Sequence, residues 1–589
     1  MKYITVIICM YILIVLSISA VNAIDENNTL HSDTQNNEYN CIISEDNTQN
    51  NNLLLYDANI QSGKSMNELK NIIDSSPIDK VKLTSDFLYN YSKDNDLEEG
   101  IPITKSMTID GQGHKIDANH KMKIFQIRDN ANVVFKNIVL LNGGGIYGGA
   151  ICNHAKTPVC VENSTFIYNH CVIDGGAIYS EGDVIIKNCL FDNNMAKGSS
   201  KQCYGGAIRS KNIVSIDNST FKNNYAEDYG GAIYADNIYI NTNNKDKTFN
   251  SIFMNNDVGD NDGGAIYSTD KIIINNAKFI KNNAYEDGGA IYCKDADLNN
   301  CLFEDNYVSG AKYSSCDGGA IYCKNDLNIE NSIFNHNTGE CGGAIYTEKN
   351  AHIINTNFTK NIAKTDGGAI YSKDYMNIKK CLFDNNEAKG SSKQCYGGAI
   401  RSKNIVSIDN STFKNNYAED YGGAIYANTI TWINTRSYFI GNCANDNQGG
   451  AIYTNKFNND VSNAFFINNN VKSNDDGGAI YINEENTVTF SHCLFEGNHC
   501  GDEGGAIYLD SRKSHLTLKN NNFINNGAGD EGQCVFNKGY YNEITDNFWN
   551  DMNPSTENDQ LVEWKQWGEN IKHADKNPSP QKILKKKNI

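Results

Sequence analysis

Gly367-Gly368-Ala369-Ile370-Tyr371-Ser372-Lys373-Asp374-Tyr375-Met376-Asn377-Ile378-Lys379-Lys380-Cys381-Leu382-Phe383-Asp384-Asn385-Asn386 is one unit of a pattern that fills most of the chain. It contains three apolar bursts, Ala369-Ile370-Tyr371, Tyr375-Met376-Asn377-Ile378 and Cys381-Leu382-Phe383, separated by Gly, Asp, Asn and Lys. Bursts this short do not make helices and suit strands bounded by turns. The glycine pair permits backbone angles closed to other residues at a tight corner, and Asn tolerates the left-handed region while its amide bonds nearby backbone. Three strands and three corners describe one coil of a parallel β-helix.

The unit repeats. Gly-Gly-Ala-Ile occurs fourteen times, first at Gly148 and last at Gly504, at intervals of 24 to 33 residues. Phe-x-x-Asn alternates with it, from Phe166 and Asn169 to Phe523 and Asn526. A period of that size marks a stacked repeat architecture, not separate domains. Coils stacked about 4.8 Å apart pair each strand with its successor and give a rod on the order of 70 Å long. Helical and leucine-rich repeats do not fit, because no unit shows apolar spacing at i, i+3, i+4, i+7 and each glycine would cost a helix about 1 kcal/mol. The predicted fold is all-β, a right-handed parallel β-helix over residues 105–550 with a short N-terminal capping helix. Cys189 to Ala235 recurs as Cys381 to Ala427, differing only at Met195 against Glu387, which reads as a duplication of two coils.

The ends are different. Residues 1–23 read as a signal peptide: Lys2 is the positive n-region, Ile4 to Ile18 is almost wholly apolar, and Val21-Asn22-Ala23 offers a cleavage site. An uncleaved anchor is the alternative, and both readings export the chain. No later segment is apolar enough to span a membrane, so no transmembrane anchor is expected after the signal. Residues 24–104 are a polar segment and the capping helix, where Ser65-Met66-Asn67-Glu68 is a capping box, Met66, Leu69, Ile72 and Ile73 share a face, and Pro77 follows the end. That helix is placed to cover the open strand edges of the first coil. Residues 551–589 form a polar tail.

Composition narrows the function. Asp+Glu outnumber Lys+Arg 70 to 52, for a net charge of −18 over 589 residues. A nucleic-acid partner is not expected, because phosphate binding needs a basic surface. Loss of Cys9 with the signal leaves an odd number of the 18 cysteines, which cannot all pair internally. Cys189, Cys301, Cys381 and Cys493 recur at one point of the repeat, and free, stacked thiols are expected there in preference to a disulfide framework. With no C-x-x-C pair, a structural zinc site is not expected.

The paired Gly-Gly-Ala-Ile and Phe-x-x-Asn motifs resemble the passenger repeats of the chlamydial polymorphic membrane proteins. They resemble still more the adhesin-like surface proteins of methanogenic archaea, with the opening run Ile103-Thr104-Lys105-Ser106-Met107-Thr108-Ile109-Asp110-Gly111-Gln112-Gly113-His114 included. The resemblance covers residues 65 to 550. It implies a pectin-lyase-like β-helix, secreted or displayed on the cell surface and acting in attachment to host or neighbouring cells through their glycans or proteins. Two departures stand out: the 39 residues after Asn550 are too few for the outer-membrane barrel of the chlamydial proteins, and no wall-binding or Ig-like module of the archaeal ones is visible.

Candidate sites follow from the repeat. A β-helix enzyme needs clustered carboxylates or Lys/Arg on one face. The chain has five arginines, Arg128, Arg209, Arg401, Arg436 and Arg512, two of them duplicates of one position, and the regular units lack the irregularity of a unique active site. A non-catalytic protein is expected, with a polysaccharide lyase or hydrolase and a structural envelope component as rivals. Asp precedes the glycine pair at Asp174, Asp262, Asp287, Asp317, Asp366 and Asp476. A Ca²⁺ ladder, centred on Asp262, Asp287 and Asp317, is conceivable, but an Asx-turn is preferred because Tyr204, Tyr229, Tyr396, Tyr421 and Gln448 fill the same slot; no other cofactor is implied. Sequons at Asn27, Asn90, Asn163, Asn218, Asn357 and Asn410 fit surface exposure. The residue after Gly-Gly-Ala-Ile is Tyr in eleven copies and Arg at Arg209 and Arg401. If Ile points inward the next side chain points out, and an arginine is rarely buried unpaired, so this slot is expected to face solvent. Tyr234, Tyr267, Tyr292, Tyr322, Tyr346 and Tyr371 would then form a flat stripe suited to packing on sugar rings, or else a column that stabilises the sheet by neighbour contacts.

Overall fold

The structure, a computed structural model, describes residues 62–77, 79–198, 203–242, 249–310, 316–390, 394–433, 435–530, 532–550 and 562–563. Residues 1–23, expected to be a signal peptide, and nearly all of the tail 551–589 lie outside them. The chain winds as a right-handed parallel β-solenoid of about 17 turns.

One coil shows the construction. Strands Ile291–Cys293, Asp295–Asn299, Leu302–Glu304 and Tyr307–Val308 pair in parallel with Ile321–Cys323, Leu327–Glu330, Ile333–Asn335 and Thr338–Gly339 of the next coil. The coil thus has four short strands on three sheets, since the first sheet takes the first two strands of this unit; in the last coils the second strands, such as Thr487–Ser491 and His515–Lys519, form a separate four-stranded sheet. Register is rigid because each coil repeats the same inward residues: Ile291 lies over Ile321 and Phe303 over Phe334.

The glycine pair does two jobs. Gly318 sits at φ +68°, and a Cβ on Gly319 would stand 2.1 Å from the carbonyl oxygen of Gly343 in the next coil. The first glycine makes the turn and the second lets the coils close to strand spacing.

Two ladders run through the interior. The motif phenylalanines from Phe166 to Phe523 are fully buried and stack with ring centroids 4.6–5.1 Å apart. Trp549 extends the column at 4.4 Å from Phe523. Beside it the buried motif asparagines from Asn169 to Asn526 form a chain in which each Nδ2 donates to the Oδ1 of the next at 2.8–3.0 Å. Each Nδ2 also reaches a carbonyl of the preceding coil, as Asn306 does with Phe279 at 2.9 Å. Polar corners thereby turn inside the protein with their hydrogen bonds satisfied.

Helix α1 (Met66–Ser75) has the expected capping box, and Met66, Leu69 and Ile73 are buried in the same core as the coils. The buried carboxylate of Asp94 also accepts from the amides of Met66 and Asn67 at 3.1 and 2.9 Å. Stacking begins earlier than residue 105: Lys80–Lys82 pairs with Thr108 to Asp110, and Phe87–Leu88 with Ile116 and Asp117. These first strands are two or three residues long and carry neither motif, so nothing in the sequence marks them.

The recurrent cysteines are buried but not stacked on one another. Cys189, Cys301 and Cys381 each donate a backbone N–H to a serine hydroxyl of the next coil, at Ser219, Ser332 and Ser411. The expectation of stacked thiols at this point is corrected: the column mixes Cys with Ser, Thr and Ala, as in Cys189, Ser219, Ser251, Ala277 and Cys301, each of a size that fits the corner. Cys293 and Cys323 are the pair that does lie in register. Among the described residues Cys189, Cys301, Cys381 and Cys493 carry free thiols, and Cys160 is disulfide-bonded.

Candidate binding face

The slot after Gly-Gly-Ala-Ile lies on the outside of the coil, as strand alternation requires: the tyrosines form a cluster of their own, apart from the Ile and Phe core. Facing outward has not left them in solvent. Tyr292, Tyr322, Tyr346 and Tyr371 are only 4–8% exposed, while Tyr234 and Tyr267 are half-buried. From Tyr234 to Tyr371 the rings stack with centroids 4.7–5.0 Å apart and planes within 4–11°. The expectation of a solvent-facing stripe is therefore corrected: at strand spacing each ring covers the next, so the faces are spent on one another and edges and hydroxyls remain at the surface.

Charged side chains frame the column. Lys324 Nζ sits 5.1 Å from the Tyr292 ring and Lys373 Nζ 5.2 Å from Tyr346. The Tyr322 hydroxyl donates to Glu348 Oε1 at 2.8 Å, and Glu348 pairs with Lys373 at 3.1 Å. Burial pushes the Tyr292, Tyr322 and Tyr346 hydroxyls well above their ordinary value, so they act as neutral donors. Lys324, Glu348 and Lys373 all stand two residues after a column tyrosine, a spacing visible in the sequence but not used there.

The aspartates form a ladder along the same face. Asp262 Oδ1 accepts the Asp287 amide at 3.1 Å, Asp287 Oδ1 that of Asp317 at 2.9 Å, and Asp317 Oδ1 that of Cys341 at 3.3 Å. The preferred Asx-turn is corrected in its direction: each carboxylate bonds the next coil, not its own turn, because stacking brings that amide within reach. Burial raises Asp262 to about 7, Asp287 to about 8 and Asp317 to about 6. Among the described residues no group of three or more His, Cys, Asp or Glu side chains is placed to hold a metal ion. A cavity of about 410 Å³ lies in the first coils between Gln112, Gly113, Asn137 and Asn163.

Three family models match this chain in parts. The right-handed β-helix region matches residues 343–523, and the pectate lyase-like adhesive domain residues 60–173. The chlamydial polymorphic membrane protein repeat matches residues 218–236, 276–294, 300–324 and 331–348. In these parts the chain is similar to adhesin-like repeat proteins of the polymorphic membrane protein type. Its repeat matches fall on the tyrosine column, including Tyr234, Tyr292, Tyr322 and Tyr346, while the adhesive-domain match covers α1 and the first coils with their cavity. No curated protein and no solved structure matches the chain. Among the described residues no helix is long and apolar enough to cross a membrane.

Proposed function

We propose that this protein is a secreted or cell-surface adhesin, non-catalytic, that attaches to glycans or proteins of host or neighbouring cells, as the adhesin-like proteins of methanogenic archaea that it resembles are expected to do. The observation that carries the reading is the match of residues 60–173 to an adhesive domain on a regular solenoid. Its interior is one set of ladders repeated coil by coil, which builds a long uniform surface and not a single pocket. Some outer charges pair between coils, as Lys222 with Asp192 at 3.0 Å and Lys294 with Asp270 at 3.1 Å. In this reading the edges of Tyr234, Tyr267, Tyr292, Tyr322, Tyr346 and Tyr371 belong to the contact surface, and Asp262, Asp287 and Asp317 brace the coils beneath it.

Incubation of the mature protein with cells and with a panel of acidic and neutral polysaccharides tests this. Saturable binding without change in polymer length is expected. Reproducible chain shortening would replace the adhesin by a lyase or hydrolase, and absence of any binding, with the protein found in the isolated envelope, would favour a structural component.

A further inference from the structure

The outer tyrosine column is interrupted twice, and the two interruptions have one construction. Arg209 stands in register between Tyr179 and Tyr234, and Arg401 between Tyr371 and Tyr426. In the same coils the slot before the glycine pair exchanges its aspartate for Tyr204 or Tyr396, and the next coil repeats the exchange with Tyr229 or Tyr421. A cation thus appears on this face where the carboxylate ladder stops.

The geometry is closely similar in the two copies. The Arg209 guanidinium carbon lies 4.1 Å from the Tyr234 ring centroid, and that of Arg401 lies 4.1 Å from Tyr426. Tyr204 packs 4.8 Å from Tyr234, and Tyr396 4.9 Å from Tyr426. Nη1 of each arginine donates to the carbonyl of the following serine, Ser210 or Ser402. Nε of each is buried without a hydrogen-bond partner. No carboxylate among the described residues forms an ion pair with either arginine. Asp174 and Asp366 feel the charges of Arg209 and Arg401 without forming an ion pair, and each already accepts an amide, of Tyr204 and Tyr396, at 3.1 and 3.2 Å. A guanidinium held against an aromatic ring, with a single hydrogen bond to the protein through Nη1, is arranged to take a carboxylate from outside through its remaining Nη donors.

We propose that Arg209 and Arg401 are two copies of one binding site, each taking the carboxylate of an acidic saccharide while Tyr204 and Tyr229, or Tyr396 and Tyr421, meet the sugar ring. This rests on the adhesin reading and gives it a ligand class. Seven register steps separate the copies through Tyr234, Tyr267, Tyr292, Tyr322, Tyr346 and Tyr371. At about 4.8 Å per coil they stand about 34 Å apart on one face, so a uronic-acid polymer longer than that spacing engages both at once.

The test uses the full mature chain and polygalacturonate oligomers shorter and longer than the spacing, with carboxyl-reduced polymer and a sulfated neutral polymer as comparison arms. Tighter binding of the long oligomer, by about tenfold or more over the short one, is expected for the native chain. R209Q or R401Q alone should remove that length advantage, and the double variant should abolish binding with its melting transition retained. Equal binding of carboxyl-reduced or sulfated polymer to the native chain would overturn the proposal without any variant. Undiminished binding by a folded double variant would overturn it as well. Attachment to cells is measured in parallel: cells bound without polygalacturonate binding would refute the ligand alone, whereas no attachment to any surface would refute the adhesin reading.

Discussion

Asn306 donates from Nδ2 to Oδ1 of Asn337 at 3.0 Å while its own Oδ1 accepts both the backbone and the side-chain N–H of Asn282, at 3.0 and 2.9 Å. One buried amide therefore serves three successive coils. Asn306→Ala would strand donors on Asn282 and an acceptor on Phe279 inside the core. A loss of about 2–4 kcal/mol is expected in denaturant unfolding, at about 1–3 kcal/mol per unsatisfied buried group. A change within the scatter of surface substitutions would show that the ladder is not a source of stability.

Gly319→Ala tests coil spacing. The added methyl meets a backbone oxygen that cannot turn aside, so the coils must part locally. A loss of about 3 kcal/mol or more is expected, read as soluble yield and unfolding midpoint. Retained native stability would refute the close-approach role.

Stability should depend on pH through the aspartate ladder. Asp262 and Asp287 release their protons near 3.8 when unfolded but near 7 and 8 when folded, because burial penalises the charged form. The folded state binds more protons in that window, so this contribution is present at acid pH and is lost as pH rises through about 8. The melting temperature should fall between about pH 4 and about pH 8, and the double variant D262N/D287N should show a shallower fall. An identical slope in that variant would assign the pH dependence elsewhere.

Replacing Tyr292, Tyr322 and Tyr346 by Ser removes three stacked rings. A cost of about 2 kcal/mol per ring is expected from lost burial and stacking, seen as a lower melting temperature. Binding to cells or glycans measured alongside separates the two roles of the column: lost stability with unchanged binding would end its part in the contact surface.

Much of the coil could be read directly. Gly-Gly-Ala-Ile and Phe-x-x-Asn place the corners, the inward Ile and Phe and the outward Tyr, because a period-2 strand leaves no other assignment once one residue is known to face the core. The capping box at Ser65 is a local motif and was legible for the same reason. The first strands at Lys80–Lys82 and Phe87–Leu88 were not, since they are held by pairing with residues more than 25 positions away and carry no pattern of their own.

The amino-acid sequence by itself determined the parallel β-helix, its coil boundaries and the direction of the Tyr slot, because these follow from short-range periodicity repeated fourteen times. Tertiary structure alone decided what those outward side chains do. Whether a tyrosine shows its face to solvent depends on the ring one coil away, and whether Asp262 bonds its own turn or the Asp287 amide depends on the distance between coils. Both are contacts across a full turn of the solenoid, where a spacing of about 4.8 Å brings like residues together and turns an exposed position into a covered one.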